Sequence, residues 1–300
     1  MRLSEIVRFA DVRVLRDGDF ENLGFLTDTQ PCSLVFLESE RFAAALRRNK
    51  DVSAVLSAPA VADLVPEHMA LAVCPEPRLT FAVVHNGLAQ SGFYWEGFET
   101  VIDPTAQVHP MASVAERNVR IACGCSIGPH ATIGERCVLG EHVTIGAGAV
   151  LGAVGFQTVR TNAQTLEMRH AGGLRVHERV HVLPGAVIAT GLFRKNTEIS
   201  SDARIGSQAF VSHGVHVGER AFVGHGAIVN GGVSIGREAW VGPGAVVAHS
   251  LDIGPQAFVS LGAAVIRSVK AGSHVSGNFA VSHRRLLRLL TELDPQAAGR

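Results

Sequence analysis

Two histidines, His213 and His249, stand 36 residues apart, and Asn230-Gly231-Gly232 lies midway between them. An imidazole titrates near pH 6.5 and can accept a proton at neutral pH. A backbone N–H on a residue without a side chain can hold a developing oxyanion. If these positions stack, His213 can deprotonate an attacking amine or hydroxyl while the Gly231 N–H steadies the tetrahedral intermediate. That is equipment for acyl transfer. A histidine pair also suits zinc, but zinc takes three or four placed ligands, and residues 250–258 (SLDIGPQAF) contain no further histidine. No metal is expected. His249, on the same corner, and His225, on a different one, are read as substrate contacts.

What would stack these positions is a six-residue beat. Ile121, Ile127, Ile133, Leu139, Ile145 and Leu151 fall on it, and it holds again from Ile199 to Val265. The residue after the aliphatic is usually small, as at Gly128, Gly134, Gly206 and Gly218. A fixed short repeat of this kind marks a β-helix. Each hexad is one short strand and a turn, and three hexads make a triangular coil of 18 residues. Coils stack at ~4.8 Å, so His213 and His249 lie two coils apart, roughly 10 Å. Two segments break the beat: residues 153–175 must leave the solenoid as a loop, and residues 189–198 (ATGLFRKNTE) read as a one-residue deletion. Loops ejected from a regular scaffold are natural places for binding residues.

The remaining sequence frames this solenoid. The 300 residues suggest two domains. Residues 1–100 are not repetitive and read as a small α/β domain, with helices over 42–51 and 77–88 and strands over 53–59 and 70–77. Residues 92–106 read as a linker, 101–270 as the β-helix, and 271–300 as a tail. In the tail, Leu286, Leu287, Leu290 and Leu293 have helical spacing and Ser282 can cap them. Formal net charge is zero, which gives no electrostatic case for binding nucleic acid. Five cysteines, an odd number without CxxC, fit free buried thiols in a reducing cytosol. The N-terminus has no signal-peptide core, and no apolar run reaches the ~20 residues of a spanning helix. A cytoplasmic protein without a transmembrane segment is expected.

SHGVHVG (212–218), followed by GHGAIVNGGVSIG (224–236), resembles the UDP-3-O-acylglucosamine N-acyltransferases of lipid A biosynthesis. LVFLESERFAAAL (34–46), GAVGFQ (152–157) and HVSGNFAVSHRRLLR (274–288) are similar to that family's N-terminal segment, Gly-Phe loop and Ser-Gly segment. The resemblance implies a mainly β chain: a left-handed parallel β-helix with an N-terminal nucleotide-recognition domain and a C-terminal helix. It implies His213 as catalytic base, Gly231 as oxyanion donor, and Phe36 and Phe42 flanking a uracil. Ser39, where the family has Asn, falls in the nucleotide pocket, and Phe156 lies in the Gly-Phe loop. It also implies a homotrimer acting on a nucleotide sugar. No cofactor is bound permanently; the acyl donor rides on the 4'-phosphopantetheine of acyl carrier protein, for which Arg284, Arg285 and Arg288 offer a dock. The family's supporting acid falls at Gly206, and its Tyr is Phe42. Related enzymes use coenzyme A thioesters on other nucleotide-linked amino sugars for surface polysaccharide. A non-catalytic trimeric scaffold is the reading from a different class.

Overall fold

A computed structural model describes residues 1–161, 164–277, 280, 282–285, 288 and 292. The N-terminal sheet contains β1 (Arg13–Arg16), β2 (Asn22–Leu23), β3 (Ser33–Leu37), β4 (Val52–Ser57) and β5 (Ala70–Val73), in the order β1-β5-β4-β3-β2. All neighbours pair in parallel except β1 with β5. Side chains alternate across such a sheet. Leu34, Ala54, Leu56, Ala70 and Ala72 face one apolar cluster, while Val35, Leu37, Val55, Leu71 and Val73 face another. Helix α1 (Ala43–Arg48) is shorter than the pattern suggests and is entered through a 3-10 turn, Glu40–Phe42. It buries Ala43 and Leu46, whereas Ala45 is exposed. Helix α2 (Pro77–Gln90) starts on its proline, where a missing N–H costs nothing.

The beat becomes a three-sided parallel β-helix with faces of eight, nine and eight strands. The first face starts at Val101–Ile102, the second at Gln107–Val108 and the third at Ser113–Val114. The solenoid therefore begins inside the segment read as a linker. Val211 pairs with Ile188 below and Val229 above, and such aliphatics form one continuous buried column. Each contributes about 1.5–3 kcal/mol on burial. The second inward position is often alanine, as at Ala209, Ala227 and Ala245, and elsewhere valine, as at Val143, Val215 and Val233.

Register corrects one reading. Leu139 pairs with Val176 and Val176 with Ile199, steps of 37 and 23 residues, where an uninterrupted coil such as Val229 to Val247 takes 18. Residues 189–198 thus carry a five-residue insertion, which a six-residue count cannot distinguish from a one-residue deletion. Both insertions leave at the corner between the third and first faces, the corner that carries His213. The longer one folds into an antiparallel hairpin, Thr158–Arg160 with Thr165–Glu167. Val159, Met168, Ala171, Leu192 and Phe193 from the two insertions join the core of the N-terminal domain.

All five cysteines are free, but Cys32 is exposed and Cys123 half-buried, so not all are buried thiols. Residues 283–285, 288 and 292 are helical, with the Arg285 N–H donating to the Ser282 carbonyl at 2.8 Å. Leu286, Leu287, Leu290 and Leu293 lie outside the described residues. Among the described residues, no helix is long and apolar enough to cross a membrane.

Candidate active site

Above the insertions, three successive turns at this corner have two residues each, the second in the left-handed region: Gly214 at φ 65°, Gly232 at φ 71° and Ser250 at φ 56°. His213, Gly231 and His249 are the first residues of three successive turns and lie one above another. Backbone bonds fix the stack: Gly232 N–H donates to His213 O, and Ser250 N–H to Gly231 O, both at 3.0 Å. His213 Nε2 lies 2.5 Å from where a Cβ on Gly231 would stand. The ring therefore occupies the space that the missing side chain leaves. The Gly231 N–H makes no hydrogen bond among the described residues and is free for a ligand. Another first turn position differs: the Ser207 N–H is taken by His225 Nδ1, whereas Gly231 keeps its N–H open beside an imidazole lodged against its bare Cα.

These residues line a cavity of about 400 Å3. The N-terminal domain contributes Phe25 and Asp28, and the insertions contribute Phe156, Phe193 and Lys195. Phe25 and Phe193 meet edge-on at 5.3 Å and form an apolar wall. Phe156 hangs at the rim with 88% of its surface exposed. Asp28 accepts an ion pair from Lys195 Nζ at 2.6 Å. Ser212 Oγ lies 3.3 Å from His213 Nδ1; if that nitrogen carries the proton, Nε2 is left as the base. Burial pushes the His213 pKa below its ordinary value, and the Asp28 carboxylate opposes the shift.

The structure gathers His213, Gly231, His249 and Phe156, but not the other candidates. His225 stands on the corner between the second and third faces, exposed, its Nδ1 accepting the Ser207 N–H at 3.0 Å. It does not line the cavity. Phe36 packs with Phe25 and Phe81 on one side of the N-terminal sheet, while Phe42 packs in the cluster on the other. Ser39 opens the 3-10 turn and lines no part of the cavity. Gly206 also lies on the His225 corner, where a Cβ would strike the backbone of Gly224 and His225. An acid there could not reach His213. Cys123, Glu141 and His142 bring three metal-ligand types within 4.8 Å, but at another, solvent-facing corner.

Sequence reasoning missed His170. It is 5% exposed, its ring meets His213 at 5.3 Å, and neither ring nitrogen has a partner among the described residues. Burial, then the neighbouring His213 and His85, push its pKa down to about 4. Arg136 fixes its backbone, donating to the carbonyls of His170 and Gly172. His85 was also unsuspected. It contacts Tyr94 Oη at 2.8 Å and Arg169 O at 2.6 Å, tying α2 to the long insertion, and burial takes its pKa to about 4. His170, Lys195 and Phe193 all fall in the two breaks, so the interrupted beat did signal them. Asp28 carries no local signal.

The six-residue beat that builds this corner has a counterpart among known families: residues 118–153 match the family model "Bacterial transferase hexapeptide (six repeats)". The left-handed parallel β-helix read from the sequence stands. More particularly, 121 residues are 30% identical to a UDP-3-O-acylglucosamine N-acyltransferase of Azorhizobium caulinodans, covering 38% of this chain and 34% of the relative. The chain thus matches about a third of that relative's length. The UDP-N-acetylglucosamine acyltransferase of Campylobacter jejuni shares the fold at 17% identity, with a TM-score of 0.50 over 66% of this chain and 83% of that one. The Arabidopsis UDP-N-acetylglucosamine acyltransferase matches at 18% identity and a TM-score of 0.47 over 63% of this chain and 77% of that one.

Proposed function

We propose that this chain is an N-acyltransferase that moves an acyl group from a thioester to the amine of a nucleotide-linked amino sugar, of the UDP-3-O-acylglucosamine type. The observation that carries this reading is the His213 imidazole lodged against the bare Cα of Gly231, at the wall of a cavity that the N-terminal domain helps to close. The substrate amine attacks the thioester carbonyl while His213 Nε2 takes its proton. The Gly231 N–H donates to the oxyanion of the tetrahedral intermediate. Collapse of the intermediate breaks the carbon–sulfur bond, and the imidazolium returns the proton to the departing thiolate. The apolar wall of Phe25 and Phe193, with Phe156 at the rim, suits an acyl chain.

The donor is acyl carrier protein in this reading, with Arg284, Arg285 and Arg288 exposed on the tail helix to receive it. Coenzyme A is the alternative. A homotrimer is supported by the ladder Phe222, Trp240 and Phe258, which stacks at 5.4 and 5.8 Å with over a third of each surface exposed. Apolar patches of this kind mark interaction surfaces.

A thiol-release assay with acyl-carrier protein and acyl-coenzyme A, on UDP-amino-sugar acceptors, tests the reading. His213→Ala should lose about 10²–10⁴-fold in kcat, as expected for removal of a general base, with the fold intact. Unchanged turnover in that variant would refute the assignment.

A further inference from the structure

We propose that Asp28, supplied by the N-terminal domain, is the positioning acid that stabilises the His213 imidazolium during transfer; this rests on His213 being the general base. Among the described residues that line the cavity, the solenoid supplies no acid, and Gly206 has no room for a side chain and faces another corner. The groups that bear on His213 are Asp28 from the N-terminal domain, Lys195 from the short insertion, His170 from the long insertion, and His249 two coils above. Asp28 is the one anion among them. Its Oδ2 lies 3.9 Å from where a Cβ on Gly214, the residue after His213, would stand.

Asp28 is held from both sides. Its turn is closed by its own N–H donating to Phe25 O at 2.8 Å. Asn49 Nδ2 ties that turn to the domain through Thr29 Oγ1 at 3.0 Å. Gly24 is required for the turn, since a Cβ there would lie 2.8 Å from the Asp28 carbonyl oxygen. From the other side, Lys195 Nζ fixes Oδ1 at 2.6 Å. The Lys195 backbone sits so close to Gly172 and Gly191 that a Cβ on either would collide with its carbonyl. Two glycines of the insertions therefore set the position of the lysine that orients the acid. A carboxylate so restrained costs little reorganisation when charge appears on the ring. The N-terminal domain would then complete the electrostatics of the base as well as recognise substrate.

The test is a titration of His213 in the full-length protein by NMR of labelled imidazole, assigned with His213→Gln, alongside the pH profile of kcat/KM. Asp28→Asn should lower the His213 midpoint and the acid limb of the profile by about one pH unit, the low end for a nearby opposite charge. It should reduce kcat by about tenfold, the rate equivalent of one such unit. Asp28→Glu should restore both. Lys195→Met breaks the ion pair but leaves the carboxylate, and should not lower the midpoint. If Asp28→Asn leaves the midpoint unmoved, or Lys195→Met lowers it equally, Asp28 only seats the domain and the proposal is wrong. The titration reads the ring without turnover. An unmoved midpoint beside an inactive His213→Ala variant sinks this inference alone. A midpoint that moves while His213→Ala stays active sinks the assignment of His213 as general base and the catalytic role of Asp28 with it.

Discussion

Gly231→Ala isolates the contact on which the proposed chemistry depends. Gly231 is not among the residues at positive φ, so alanine fits its backbone. The new methyl would lie 2.5 Å from His213 Nε2 and 2.8 Å from Cε1, where ordinary contact begins at 3.4 Å. The imidazole must therefore retreat by about 0.9 Å, and the cavity beside it gives it space. Gly→Ala at a compatible site stabilises by ~0.4–1 kcal/mol through the unfolded chain, which roughly offsets any local strain. Displacing a catalytic group by about 1 Å costs on the order of 10²-fold in rate, or ~2.7 kcal/mol of transition-state stabilisation. The expectation is a kcat near one hundredth of wild type with an almost unchanged melting temperature, measured by thiol release and calorimetry. Alanine keeps the N–H, so the loss reports ring placement. Wild-type turnover would show that the ring need not occupy that space, and the stacked pair would lose its mechanistic meaning.

Two other outcomes are expected of the same molecule. His85 and His170 have folded-state pKa values of about 4, below the unfolded value near 6.5, so the native state binds fewer protons than the unfolded chain between these pH values. Stability should fall as pH drops from 6.5 towards 4, by on the order of 1–3 kcal/mol per histidine; urea midpoints at successive pH values should show a shallower slope in His170→Phe, and an identical slope would contradict this. Trp240→Glu puts a charge in the middle of the exposed aromatic ladder and should convert the proposed trimer to monomer in sedimentation; an unchanged oligomer would place the interface elsewhere.

Much of this was legible in one dimension. A hexad beat can be satisfied only by short strands whose aliphatics point inward, so the solenoid, its buried column and the stacking of His213, Gly231 and His249 follow from spacing alone. The same arithmetic separates His225, whose position on another corner was readable before its absence from the cavity was known. The size of the second break was not legible, because counting modulo six equates a lost residue with five gained; only pairing between coils, Val176 with Ile199, distinguishes them. Nor was the opposition of Phe36 and Phe42, which depends on where a 3-10 turn carries the chain relative to the sheet. Asp28 and Lys195, 167 residues apart, meet because both insertions leave one corner and the N-terminal domain packs onto them. Local pattern encodes what a residue does to its own backbone. The surroundings of the imidazole are set by which distant surfaces bury one another, and only the tertiary structure decides that.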